Sequence, residues 1–308
     1  MSAPKEDQLW PRASAWLEAA EAATADSTGR NVDLGLMGIP AHLTSISATN
    51  AHTTPAVIRA ALQRYSTYNW TTETDVAQLS FADFGDVTDP DSEEGEARTS
   101  QLAADVSARS GLAIGLGGDN SVTFAMARGI FGSQVETAGL ITLDAHHDLR
   151  DGISNGSPVR RLVDELGLDG RRIVQIGIAD FSNSPAYAAR AKDLGIHVIP
   201  RSALRYRDMS DVMAEAVEIA GSAGGPIHVD FDVDVCDRSV VPACPAAAPG
   251  GISADEFRQL AFEAGRYSQV RSVDFTEIDA SIDSADGRTV RLAALAILEL
   301  AAGRLSAI

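Results

Sequence analysis

Lysine is nearly absent from this 308-residue chain. It occurs twice, as Lys5 and Lys192, so the basic side chains are almost all arginine. Positive charge is scarce as a whole: 25 Lys and Arg stand against 43 Asp and Glu, for a formal net charge of −18 at pH 7. A surface this acidic repels phosphate backbones, which argues against nucleic acid as a partner and suits a site that gathers cations. Cysteine also occurs twice, as Cys236 and Cys244. Two thiols in a chain of this length exclude a disulfide-stapled scaffold and fit a reducing compartment. No run reaches the ~18 uninterrupted apolar residues of a membrane span. The first 20 residues lack an apolar stretch of signal-peptide length, so the expectation is a cytoplasmic protein with no membrane partner. Repeats, low-complexity tracts and Pro/Ser/Gly-rich linkers are missing as well. The expected organisation is an N-terminal segment, 1–30, followed by one domain, 31–308.

What is present is an alternation. Short apolar runs at 32–38, 112–116, 138–143, 172–178, 196–199, 226–231 and 270–275 read as strands. Helical patterns at 54–64, 158–166, 185–194, 210–220, 253–267 and 288–302 lie between them, and a further helix starts near Ser121. Thr54 reads as the N-cap of the first of these helices, with Pro55 at its first position. The acidic stretch 89–96 reads as a solvated loop. Apolar strands alternating with helices predict an α/β protein, a doubly wound parallel sheet covered on both faces. In such sheets ligands bind beyond the carboxyl ends of the strands.

The acidic clusters of this chain fall at those ends. One run is followed by Asp144-Ala145-His146-His147-Asp148, a second by Asp230-Phe231-Asp232-Val233-Asp234 with Asp237 beyond, and a third by Gly117-Gly118-Asp119-Asn120. The run 273–275 ends at Thr276-Glu277. On extended backbone, residues two apart share a face, so Asp144, His146 and Asp148 would project together, as would Asp232 and Asp234. Carboxylates crowded in this way repel one another, and a cation is needed to offset the repulsion. Several carboxylates with one imidazole suit a pair of divalent ions such as Mn²⁺, which can activate a shared water.

These motifs and their order resemble those of the ureohydrolase (arginase/agmatinase/formimidoylglutamase) family, whose signatures are GGDH[ES], DAH.D and [ST].D.D..DP. The resemblance implies a three-layer α/β/α fold with a mainly parallel eight-stranded sheet, a dimanganese centre, a homo-oligomer, and hydrolysis of a guanidinium or amidine C–N bond. It implies metal ligands at Asn120, Asp144, His146, Asp148, Asp232 and Asp234, with Asp144 and Asp232 bridging. It also implies that Glu277 pairs with the cationic amidine. In the expected mechanism a proton reaches the leaving amine through a carboxylate, Asp148 or Asp234.

The chain departs from the pattern in places. Asn120 stands where the family usually has His. Ligation through the amide oxygen, a water in its place and an empty site are the alternatives; the reading adopted is two Mn²⁺ with the Asn120 site weakened but usable. Asn155 stands where arginases and agmatinases carry a His thought to shuttle protons. DAHHDLR followed by NGSPV is closer to the formimidoylglutamase branch. Arg150 has a physical rationale there, because a guanidinium forks onto a substrate carboxylate; its structural alternative is an ion pair with Asp148 or Asp151. Arg238 replaces the family's Pro. Asp119 is expected to satisfy the Gly117-Gly118 turn, and His228 to be structural. His147 should face away from the ligands, while His42, Ser45 and His52 fall at the edge where a substrate would touch.

The expected reaction is N-formimino-L-glutamate to L-glutamate and formamide, with Asp148 and Glu277 as catalytic candidates and Arg150, Asn155 and Glu277 binding substrate. A guanidino compound hydrolysed with release of urea is the alternative. A metal-poor relative with a binding role is a second, raised by Asn120.

Overall fold

The computed structural model describes residues 7–17 and 32–307. Most of the expected N-terminal segment, 1–6 and 18–30, lies outside the described residues. Among the described residues ten strands occur in chain order: β1 Val32–Ile39, β2 Tyr68–Asn69, β3 Thr74–Asp75, β4 Phe81–Asp86, β5 Ser110–Gly117, β6 Gly139–Leu143, β7 Ile173–Ile178, β8 His197–Pro200, β9 Ile227–Asp232 and β10 Val270–Thr276. β2 and β3 form a small antiparallel hairpin. The other eight form one sheet in the order β4-β1-β5-β10-β9-β6-β7-β8, with every neighbouring pair parallel.

Alternation along the strands builds a core on each face. Leu112, Ile114 and Leu116 of β5 join one apolar cluster, while Ala113 joins the other. The first face is covered by the helices Thr54–Ala61, Met209–Ala220, Ala254–Arg266 and Arg288–Ser306. The second is covered by Glu93–Arg109, Val122–Phe131, Pro158–Asp164 and Pro185–Asp193. This is the three-layer α/β/α arrangement, because strands buried on both faces need helices on both.

Three local expectations are corrected. The acidic stretch 89–96 is not a loop throughout: Glu93, Glu94 and Glu96 form the first turn of the helix Glu93–Arg109, and Ser92 caps it by accepting from Gly95 N at 3.0 Å. Acidic side chains favour that end because the helix dipole is positive there. β4 was not foreseen, since Phe81–Asp86 is a polar edge strand without a continuous apolar run. The N-cap of the helix Thr54–Ala61 is Thr53, and Thr54 instead donates its hydroxyl proton to Ile278 O.

The chain order creates the site. β5 and β6 follow one another in sequence, yet they are separated in the sheet by β10 and β9. Four neighbouring strands therefore deliver four distant segments to one edge. Pairing in register sets Leu143 beside Phe231, Phe231 beside Phe275 and Phe275 beside Leu116. The residues that follow leave the sheet at one level.

Candidate metal centre and substrate cavity

Asp144, His146 and Asp234 form the tightest cluster, each offering a ligand atom within 4.8 Å of the others. His146 Nδ1 lies 2.7 Å from Asp234 Oδ2 and 3.4 Å from Asp144 Oδ1. The alternation argument does not explain this convergence. β6 stops at Leu143, and Asp144 turns the chain by accepting from His146 N at 2.5 Å. Asp234 sits in a 3₁₀ turn, Val233–Val235, capped by Asp232, which accepts from Asp234 N at 2.8 Å. Turns bring the ligand atoms together because an extended strand would carry the later residues out of reach. Asn183 holds the loop after β6 at both ends of its amide: Oδ1 accepts from His147 N and Nδ2 donates to Ala145 O, each at 2.9 Å.

Burial raises the cost of charge here. Asp144 is pushed up to about 7 by burial and by the charge of Asp234, against the hydrogen bonds from His146. Burial and neighbouring carboxylates also hold Asp148 and Asp232 well above the usual range. Burial opposes charge on His146, but its hydrogen bonds to Asp144 and Asp234, with their charges, push the imidazole up to about 12. Asp234 is buried too, yet its hydrogen bond from His146 holds it below the usual value. A cluster of acids that retains a positive charge at its centre has the donor set and polarity for a divalent cation.

Asp148 and Asn120 form a second group beside the first. Asp148 takes φ of 53°, a left-handed conformation that costs a non-glycine residue about 1–3 kcal/mol. Asn120 Nδ2 donates to Asp148 Oδ2 at 2.6 Å, and Asn120 Oδ1 lies 2.8 Å from Thr123 Oγ1 and 3.1 Å from Thr276 Oγ1.

Glu277 follows β10, also with a positive φ of 63°, and its N–H donates to Gly118 O at 2.9 Å. Gly118 is required by close approach, since a Cβ there would lie 1.7 Å from Ala41 O. Glu277 Oε1 accepts from Asn120 N at 2.8 Å and from Asn155 Nδ2 at 2.9 Å. Burial pushes this carboxyl up to about 7, with Asn155 opposing and Asp119 adding to the shift.

A cavity of about 260 Å³ opens over these groups; Asp148, Asp234, Glu277, Arg150, Asn155 and Tyr187 line it. Arg150 is exposed and makes no ion pair among the described residues. Neither of its expected partners takes it: Asp148 faces Asn120, and Asp151 lies 3.0 Å from both Arg160 and Arg190. A larger cavity of about 650 Å³, against the helices Ala254–Arg266 and Arg288–Ser306, contains none of the acidic candidates from the strand ends.

Several smaller expectations resolve. Asp119 serves Ser121 rather than the glycine turn, accepting from Ser121 N at 3.1 Å. His147 turns away to Gln175, at 2.7 Å, and His228 is wholly buried against Ser272 and Asp274. Arg238 donates to the carbonyls of Cys244, Pro245 and Ala247, pinning that loop. His42 pairs with Asp91 at 3.3 Å and stacks on His52, while Ser45 lies 3.4 Å from Asn155 Nδ2. Both cysteines are free and buried. No helix among the described residues is long and apolar enough to cross a membrane. Sequence reasoning passed over the roles of Thr123, Thr276 and Asn183, whose residue types give no signal until folding sets them beneath or beside the acids.

Comparison with known proteins bears on the family and the fold. The Arginase family model matches residues 32–303. A formimidoylglutamase from Halalkalibacterium halodurans is 36% identical over 285 residues, covering 90% of this chain and 89% of that protein. One from Bacillus subtilis is 32% identical, covering 87% and 86%. The crystal structure of formimidoylglutamase from Bacillus subtilis superposes with a TM-score of 0.88 at 28% identity, covering 98% of this chain and 94% of that one. A Trypanosoma cruzi formiminoglutamase structure with Mn²⁺ superposes with a TM-score of 0.84 at 26% identity, covering 96% and 98%.

Proposed function

The chain belongs to the arginase family, and from that premise we propose that it hydrolyses N-formimino-L-glutamate to L-glutamate and formamide. Its likeness to formimidoylglutamases supports this reading. The observation that carries the substrate choice is Arg150, a guanidinium on the cavity wall with no ion-pair partner among the described residues. The substrate brings two carboxylates, and a planar guanidinium binds one of them in two parallel hydrogen bonds.

Asp144, His146, Asp148, Asp232, Asp234 and Asn120 would hold a pair of Mn²⁺ ions, with His146 and Asp234 toward one and Asp148 and Asn120 toward the other. Divalent ions in such a cluster supply a water of lowered pKa. Glu277 receives the cationic amidine. Asn155 and the Asn120 N–H both use Glu277 Oε1, so Oε2 takes no hydrogen bond from the described residues and meets the substrate. Water adds to the formimino carbon, the bond from that carbon to the glutamate nitrogen breaks, and formamide leaves. Asp148, on the cavity wall, passes a proton to the departing nitrogen.

The test is a product assay on the Mn²⁺-loaded protein with N-formimino-L-glutamate, agmatine and arginine. Formamide and glutamate from the first substrate are the expected result. Urea from a guanidino substrate, with no formamide from the first, would overturn the reading.

A further inference from the structure

A polar layer lies beneath Asn120, buried between the sheet and the helix Val122–Phe131. Thr276 and Asp274 belong to β10, Asp230 to β9, and Thr123 to the helix Val122–Phe131; each is at most 1% exposed. Thr123 Oγ1 lies 2.8 Å from Asn120 Oδ1 and 3.0 Å from Asp274 Oδ2. Thr276 Oγ1 lies 3.1 Å from Asn120 Oδ1 and 3.4 Å from Asp230 Oδ1. Each hydroxyl has one proton to give and faces two acceptors. His228 reaches Asp274 Oδ2 at 3.2 Å from the other side, so the shortage falls hardest on Asp230. Thr276 and Asp274 are the hydrogen-bonding side chains beside Asp230, and among the described residues Asp230 Oδ2, Asp274 Oδ1 and Thr142 Oγ1 have no partner. The layer is short of donors.

The Asn120 carboxamide has two donors to give, and at present it gives one to Asp148. The two ends of a carboxamide are similar in size, so partners decide which way it faces. Turned over, Nδ2 would donate to both threonine oxygens, and the threonine protons would pass to Asp230 and Asp274. The carboxamide and both threonine hydroxyls would then be matched, and Asp230 Oδ1 and Asp274 Oδ2 would each hold a threonine proton. Oδ1 would face Asp148 Oδ2 across the 2.6 Å now spanned by a hydrogen bond. Two acceptors that close need a cation between them: a proton on Asp148, or a divalent ion bound to both.

We propose that Asn120 is a two-position metal ligand, and that Thr276 with Asp230, and Thr123 with Asp274, hold the orientation in which Oδ1 joins Asp148 on a divalent cation. The proposal rests on the reading that the Asp148 side of the cluster takes the second ion. Asp230, Asp274, Thr123 and Thr276 act through Asn120 and are positioning residues.

The experiment is calorimetric titration of the full chain with Mn²⁺ alone, read as two successive affinities, for the wild type, Thr276→Val and Thr123→Val. Valine keeps the shape of threonine and removes the hydroxyl. The expected result is a second ion bound about five- to tenfold more weakly in each variant, with the first ion unchanged. Thr276→Ser and Thr123→Ser, which restore the hydroxyl, return the second affinity. An unchanged or tighter second ion in both valine variants overturns the proposal. So does equal weakening of both ions, which would signal general damage. If a valine variant does not fold, its serine counterpart carries the test, and a tenfold loss there is contrary to the proposal. Formamide release by the wild type separates a failure of this inference from a failure of the assigned reaction.

Discussion

Asn155 donates from Nδ2 to Glu277 Oε1 at 2.9 Å, and its own Oδ1 accepts from Ile46 N at 3.0 Å. One side chain thus ties the loop after β1 to the carboxylate that follows β10. Asn155→Ala removes both bonds and leaves Glu277 held by Asn120 N alone. A hydrogen bond to a charged group contributes about 1.5–3 kcal/mol, so kcat/KM should fall about 10- to 100-fold. Glu277→Gln should fall at least as far, since it also removes the charge that faces the amidine. Steady-state kinetics on both variants decide the matter; a wild-type kcat/KM in Glu277→Gln would remove this residue from the site.

Arg150→Met keeps an unbranched apolar stem and removes the guanidinium with its charge. KM for N-formimino-L-glutamate should rise about tenfold or more, while an amidine lacking carboxylates should be hydrolysed no worse than before. Equal losses on both substrates would show that Arg150 shapes the loop and does not read a carboxylate.

Mn²⁺ binding should release protons. Burial opposes charge on His146, but Asp144 and Asp234 more than compensate and push it up to about 12. The sign follows from a raised folded value. The stabilisation is complete below the ordinary imidazole pKa of about 6.5 and fades only as pH climbs through the raised one. At pH 6–8 the metal must therefore displace a proton from His146, and Asp144, near 7, adds to the release at the acid end. Apparent affinity should rise with pH over that range. Calorimetry in two buffers of different ionisation enthalpy counts the protons, and a count of zero would contradict this electrostatic account. Chelation should lower the thermal midpoint without changing the far-ultraviolet spectrum, because the cores on both faces of the sheet do not depend on the ion.

Asn120→His exchanges an amide drawn between Asp148 and two threonines for an imidazole with one lone pair and one N–H. The second Mn²⁺ should bind about tenfold or more tightly. Measurement of metal content after dialysis checks it. No gain would mean that His at this position cannot reach the ion.

Phe231 stands between Asp230 and Asp232 and packs on Phe275 and Phe257, with ring centroids 5.2 and 5.4 Å away. Phe231→Ala should cost about 3–5 kcal/mol of stability, read from the shift of the urea midpoint. It should also weaken Mn²⁺ binding, since the same strand end carries Asp232.

Much was legible in the sequence by itself. Apolar runs and helical periods foretold seven of the eight strands of the main sheet and the two-sided layering, because burial on both faces leaves a pattern in composition. The acids also announced themselves, since Asp144 and Asp232 follow such runs directly and Glu277 follows one residue later. Their geometry was decided elsewhere. The strand order sets β10 and β9 between β5 and β6, and without it the four motif segments would not meet. Parity along an extended strand foretold the wrong local reason: Asp148 enters through left-handed backbone and Asp234 through a 3₁₀ turn. The roles of Thr123, Thr276 and Asn183 belong wholly to the tertiary structure. A hydroxyl or an amide carries no sign of its partner in the sequence, and its hydrogen bonds exist only once residues far apart along the chain are packed within about 3 Å.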